Sequence, residues 1–143
     1  MIFKKGDDLR QDQLCVQMIS LMDKLLKREN LDLKLTSYRV LATGNDTGLI
    51  EFVKSQGLAD ILKEHEKLTT YIALHNPDPH GPNGCTMTSM MNFVQSCAGY
   101  SVITSLLGVG DRHLDNFMLA SDGRLLRIGF GSLMARDPEV FLL

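Results

Sequence analysis

The sequence predicts an α+β fold, and three observations carry that prediction. Short segments with strand composition, "MIFKK", "LDLKL", "YRVLA", "FMLA" and "RLLRI", are spread along the chain. Two longer stretches repeat apolar residues at three- and four-residue spacing, the signature of a helix with one face against a core. Clusters of Gly, Asp, Asn and Pro separate these segments and mark the turns between them. With 143 residues and 44% hydrophobic content, the chain has the size of one ordinary globular domain and apolar surface enough for a core.

Taken in order, "MIFKK" opens as a strand, and Gly6-Asp7-Asp8 supplies a turn whose two aspartates are candidate caps for the helix that follows. In that helix Leu14, Met18, Leu21, Met22, Leu25 and Leu26 form an apolar stripe expected to face the core, with Asp12, Asp23, Lys24, Lys27 and Arg28 mostly facing away. "LDLKL" alternates with period two and, with "YRVLA" after it, is expected to be strand. Residues 44–48 then turn the chain into the apolar segment "LIEFV". "LADILKEHE" suits a short helix, whereas "NPDPHGPNG" concentrates three of the four prolines with two glycines and must be a loop. From Thr86 to Leu107 the pattern is helical again. Met90, Met91, Phe93, Val94, Cys97, Val102, Ile103 and Leu106 make a broad apolar surface, as on a helix buried inside a lobe. "FMLA" and "RLLRI", joined by Ser121-Asp122-Gly123, form a hairpin.

Charge and cysteine content narrow the function classes. A formal net charge of -2 gives no electrostatic footprint for nucleic acid or a polybasic membrane surface, so no nucleic-acid partner is expected. Three cysteines, Cys15, Cys85 and Cys97, lack the spacing of a disulfide framework or zinc site and read as buried small residues in a reducing, intracellular compartment. The N-terminus turns charged by its fourth residue, unlike a signal peptide, and no run approaches the roughly 20 apolar residues that span a bilayer. The eight methionines read as core filler. His75 and His80 in "HNPDPH" have neither helical spacing nor a further ligand to make a metal pair.

The chemistry concentrates between the second helix and the hairpin, where "GVGDRHLDN" gathers Asp111, Arg112, His113, Asp115 and Asn116 in one loop. Such a cluster suits phosphoryl transfer, which needs a group on the attacking hydroxyl, oxygen ligands for magnesium and cations on the phosphates. Alone, His113 would more often be structural and Lys4 a solvated strand residue; their settings, beside Asp111 and Asn116 and within "FKKGDDLRQD", make both of them candidates.

Five motifs in register, "IFKKGDDLRQDQ", "YRVLATG", "SCAGY", "GVGDRHLDN" and the Phe-Gly after the hairpin, closely resemble the catalytic domain of the phosphatidylinositol 3-kinases, and "SLMDKLLKRENLDLKL" and "RDP" resemble the class III, vacuolar-sorting type. The resemblance covers nearly the whole chain up to Pro138. It implies a protein-kinase-like catalytic core fragment: the end of a small lobe and a hinge over 1–53, and the start of a larger, helical lobe with the catalytic loop over 54–143. It implies a transferase that moves the γ-phosphate of ATP to the 3-hydroxyl of phosphatidylinositol, with Mg²⁺, or Mn²⁺ as an alternative. Regulatory protein subunits and a peripheral place on endosomal or autophagic membranes, in vesicle trafficking, are implied with it. Residue by residue, Lys4 matches the lysine on the ATP phosphates, and Asp12 and Tyr38 match polar residues at the back of the adenine pocket. Ile50, Glu51, Phe52 and Val53 match the hinge. His113 matches the group that acts on the inositol hydroxyl, Asp111 its acidic neighbour and Asn116 a metal ligand.

Gly129 stands where the family carries aspartate, the second metal ligand. Magnesium prefers carboxylate, phosphate and water oxygens, and glycine offers none. A charge pair at about 4 Å is worth roughly 4 kcal/mol at an effective dielectric near 20, so this loss is expected to slow the reaction by about a thousandfold or more. The family's phosphate-gripping loop is expected upstream of Lys4, and "EVFLL" stands in place of a basic activation segment. Apolar surface on the 86–107 helix and at Val140-Phe141-Leu142-Leu143 is then expected to lie uncovered. The alternative readings are a pseudokinase-like binding or scaffold module and a truncated product without independent function.

Overall fold

The computed structural model describes residues 1–110 and 113–130. Two three-stranded antiparallel sheets organise them. In the first, β1 (Ile2–Lys5), β2 (Val40–Ala42) and β3 (Thr47–Ile50) lie in the order β1-β3-β2, with Ile50 opposite both Ile2 and Val40. Gly48 sits at the centre of β3, where a Cβ would stand 2.6 Å from Leu9 Cδ1 and 2.7 Å from the Leu41 carbonyl oxygen, so only glycine lets helix and sheet approach this closely. The second sheet is built from β4 (Ser55–Gly57), β5 (Phe117–Ala120) and β6 (Leu125–Arg127) in that order. Residues 51–54 are the sole link between the sheets along the chain before β4.

Helix α1 (Arg10–Arg28) packs on the first sheet, but in a different phase from the one its leucines predict. Cys15, Val16, Ile19 and Asp23 are buried, whereas Leu14, Leu21 and Leu25 are exposed. The buried face thus leans toward the smaller residues that fit close to the sheet, and Asp12 and Asp23 turn inward rather than away. Asp23 keeps a partner there, Lys27 Nζ at 2.7 Å. Neither Asp7 nor Asp8 stands at the cap position, which Leu9 holds. Asp8 instead accepts from the Arg10 backbone N–H at 3.1 Å, and Asp7 pairs with Lys4.

"LDLKL" is not a strand. Lys34 adopts φ 53°, a left-handed conformation that ends any extended run, and its N–H donates to Asp32 Oδ1 at 2.9 Å, so the aspartate side chain replaces a strand partner. Strand structure in this region begins only at Val40.

In the second half, α2 (Leu58–His65) forms as expected and is followed by α3 (Leu68–His75), which the sequence reading omits although Leu68, Tyr71, Ile72 and His75 carry helical spacing. The proline-rich loop is irregular apart from a 3-10 turn at Pro82–Gly84. Helix α4 (Met87–Leu106) is capped by Thr86, whose side chain accepts the Ser89 N–H. The buried face of α4 is small and polar rather than broadly apolar: Ser89, Asn92, Ser96, Gly99, Tyr100, Ile103 and Thr104. The reason is the hairpin packed on it. Ser96 Oγ accepts the Leu125 N–H at 2.8 Å, and Asn92 Nδ2 donates to the Asp122 carbonyl at 3.0 Å, so these side chains satisfy strand and turn groups shut away from water. Met91, Val94, Val102 and Leu106 are exposed, in line with the uncovered α4 surface expected from the sequence; Val140–Leu143 lie outside the described residues. Among the described residues no helix is long and apolar enough to cross a membrane.

One core cluster joins α1, β2, the end of α4 and β6 through Val16, Ile19, Tyr38, Ile103, Leu126 and Phe130. A second gathers α2, α3 and the hairpin around Ile61, Ile72, Cys85 and Leu119. Arg127 is buried at 1% exposure, its guanidinium carbon 5.0 Å from the Phe117 ring centroid and 5.8 Å from that of Phe130. Stacking on two aromatic faces is one way a buried cation recovers part of its lost hydration.

Candidate functional site

Between the two sheets lies a cleft of about 310 Å³ whose wall includes Ile2, Lys4, Leu9, Asp12, Tyr38, Val40, residues 50–53, Asn116, Met118, Leu126, Ile128 and Gly129. Strand alternation explains the lining. Ile2 and Lys4 share one face of β1, Val40 opposes Ile50, and Met118 opposes Leu126 across the hairpin. The walls are aliphatic from both sheets, and the residue 51–53 backbone closes one edge. Such a slot fits a flat group with apolar faces and polar edges.

Lys4, Asp12, Tyr38, Ile50, Glu51, Phe52, Val53, Asn116 and Gly129, far apart in sequence, all reach this one cleft. Their individual settings differ. Lys4 is half exposed on β1, with Nζ 2.5 Å from Asp7 Oδ2. Asp12, in the first turn of α1, accepts the Phe130 backbone N–H at 2.9 Å. Burial raises its carboxyl above the usual value, partly offset by that N–H, and Asp7 adds to the rise. Tyr38 is buried before β2, and burial followed by the Asp12 charge pushes its hydroxyl upward, so it stays protonated. Behind Asp12, burial pushes the Cys15 thiol up to about 11. Glu51 turns its carboxylate to Arg39, accepting the backbone N–H at 2.9 Å and Nε–H at 3.1 Å. Phe52 is 64% exposed, and Val53 receives the Ser55 hydroxyl on its carbonyl at 3.0 Å.

His113 does not join the cleft wall. It is exposed beside the 3-10 turn Leu114–Asn116, with Nδ1 3.1 Å from Asp115 Oδ2. Asp115, which the sequence places in the same polar loop without a role, is a carboxylate beside that ring. Asp111 lies outside the described residues. The residues missed by sequence reasoning are the aliphatic walls Ile2, Leu9, Val40, Met118, Leu126 and Ile128, which it does not single out; for Ile2, Val40, Met118 and Leu126 alternation on paired strands was the available signal.

At the far end of the hairpin, Gly129 has φ 71°, where a side chain is strained, and a Cβ there would stand 2.9 Å from Asn116 Oδ1. A hard divalent ion needs several oxygen ligands, preferably anionic. Here Asn116 brings a neutral amide, Gly129 brings no side chain, and Asp12 accepts the Phe130 N–H on Oδ1 while burial disfavours its charged form. Among the described residues no group of three or more His, Cys, Asp or Glu is placed to hold a metal. These side chains do not compose a divalent-ion site.

The fold and cleft define a mixed α/β protein with a ligand-sized slot between two antiparallel sheets. Sequence comparison gives the family. The profile described as "Phosphatidylinositol 3- and 4-kinase" matches residues 1–85 and 67–142. "Phosphatidylinositol 3-kinase VPS34" of Arabidopsis thaliana is 60% identical over 141 residues, covering 99% of this chain and 17% of that protein. The "Phosphatidylinositol 3-kinase, root isoform" of Glycine max is 60% identical over the same length and shares, and "Phosphatidylinositol 3-kinase VPS34" of Saccharomyces cerevisiae is 52% identical over 141 residues, covering 99% of this chain and 16% of that protein. The chain belongs to the phosphatidylinositol 3- and 4-kinase family. It spans about 17% of the length of the plant relatives it matches.

Proposed function

We propose that this chain is the ATP-site core of a phosphatidylinositol 3-kinase, and that the complete protein transfers the γ-phosphate of ATP to the 3-hydroxyl of phosphatidylinositol. The observation that supports the reading is the convergence of Lys4, Asp12, Tyr38, residues 50–53, Asn116 and Gly129 on one cleft between the sheets. In this reading the first sheet with α1 is the end of a kinase-like small lobe, residues 51–54 are the hinge, and the rest opens the larger lobe. The aliphatic walls take the adenine faces, the residue 51–53 backbone takes its edge, and Lys4 takes phosphate oxygens once Asp7 is displaced. His113, with Asp115 beside it and Asp111 nearby in sequence, acts on the lipid hydroxyl. Membership in the family implies ATP and a divalent metal in general; no step is assigned to the ion, because the described residues do not build its site. The membrane substrate, regulatory subunits and a place on endosomal or autophagic membranes belong to the complete protein in this proposal.

The test is an assay of the full-length protein on phosphatidylinositol vesicles with labelled ATP, with the phosphorylated position on the inositol ring determined, beside a Met118→Trp variant that fills the cleft. The expected product is the 3-phosphate, lost with the cleft. Phosphate on another position, or turnover indifferent to Met118→Trp, overturns the reading. A binding or scaffold module is the second reading, favoured by the contact of Asn116 with Gly129.

A further inference from the structure

We propose that the cleft is a metal-independent nucleotide site, which holds an adenine nucleotide chiefly by its base and gains nothing from a divalent ion. The inference rests on the ATP-site reading above and deepens it.

Two features of the phosphate end carry it. The first is the packing at Gly129. Asn116 Oδ1 stands 2.9 Å from the point a Cβ would occupy, so a side chain there would have to displace that amide. The backbone there has φ 71°, a conformation that glycine adopts freely and other residues less often. The position is therefore built around glycine, and returning an aspartate to it meets backbone strain and the Asn116 amide together. The second feature is charge. Lys4 already has a carboxylate counterion, Asp7, at 2.5 Å, so the one cation on the described cleft wall is neutralised from within the chain. A phosphate group gains at Lys4 only what it takes from Asp7, an exchange between two half-exposed partners that is close to balanced.

An ion can tighten a nucleotide only as far as the protein holds the ion and nucleotide together better than water does. Among the described residues on the cleft wall a single neutral amide faces the phosphates, and it supplies no such difference. Affinity then resides in the apolar slot and the backbone edge, and the phosphate count matters little.

Calorimetric titration of the 143-residue chain with adenosine, ADP and ATP, each in Mg²⁺ and in chelator, tests the inference. The three ligands are expected to bind within about fivefold of one another, and Mg²⁺ to change ATP affinity by less than about fivefold, the low end of ordinary coupling between two ligands. Electron paramagnetic resonance of Mn²⁺–ATP with the chain added is expected to match Mn²⁺–ATP in buffer. Larger tightening by Mg²⁺, or a protein-bound Mn²⁺ signal, overturns this proposal and leaves the ATP-site reading standing. Absence of binding by all three ligands overturns that reading as well. Gly129→Asp is expected to melt at a lower temperature than the parent chain and to stay indifferent to Mg²⁺; gain of Mg²⁺ dependence with an unchanged melt would show that the position is not built around glycine. Should that variant not fold, the parent titrations decide alone.

Discussion

At the residue 50–53 end of the cleft Ile50 is paired on both sides, to β1 and β2, Glu51 is tied to Arg39 through backbone and side chain, and Tyr38 and Leu126 belong to the main core. At the hairpin end Lys4 is half exposed against Asp7, Asn116 lies against a glycine, and His113 stands outside the wall beside Asp115. The same slot thus joins a packed half, whose geometry follows from the fold itself, to a half whose charged groups are already occupied by one another. If the cleft is the proposed ATP site, the contrast makes holding a base and handling phosphate separable. The first needs aliphatic walls that the core supplies in any case, whereas the second needs unsatisfied charge, which a fold keeps only where function selects for it.

Four experiments break or sharpen that comparison. Leu126→Ala strikes the packed end, since Leu126 is 1% exposed and lines both core and cleft. It is expected to cost about 2–5 kcal/mol in denaturant unfolding, and a smaller loss would mean that the slot is not part of the core. Gly129→Asp strikes the other end and is expected to cost about 1–3 kcal/mol through positive-φ strain. Unchanged stability would show that the backbone there adjusts freely. Asp12→Asn tests the bond that ties α1 to Phe130. Because the folded protein holds the Asp12 carboxyl above its ordinary value of 3.8, the fold favours the protonated form. The parent chain should therefore lose stability relative to the variant as the pH rises from 3.8 through the raised native value, with a constant gap above it; melts across pH showing the opposite slope would contradict the assignment. The smallest effect is expected from Asp7→Asn, which frees Lys4 and should tighten ATP by about two- to fivefold, the worth of an exposed ion pair, while leaving adenosine unchanged.

Much of the fold was legible because it is written in local signals. The strand at β1, the helices α1, α2 and α4, the proline-rich loop and the hairpin all follow from periodicity and turn residues. Errors arose where one specific contact, local or long-range, overrode the apparent pattern. Lys34 breaks an apparent strand by bonding to Asp32; the stripe of leucines on α1 yields to Cys15 and Val16, which fit closer to the sheet; Ser96 and Asn92 are buried because a distant hairpin needs their hydrogen bonds. Strand β4 went unseen because "SQG" has no strand character and exists only through β5. At the site, the resemblance named the polar residues that the cleft gathers, yet nothing in the order of residues announced that Asn116 would lie against Gly129, or that Asp115 would stand beside His113.

The pairing of Ser55–Gly57 with Phe117–Ala120 sets the order in which this protein assembles. Residues 51–54 lead into a strand whose partner emerges from the ribosome only after α2, α3 and α4, so the slot has one wall until β5 has been made and closes when that intervening segment is drawn in. A nucleotide that touches both walls finds no foothold in the nascent chain. Its kinetic signature would be slower unfolding rather than faster folding.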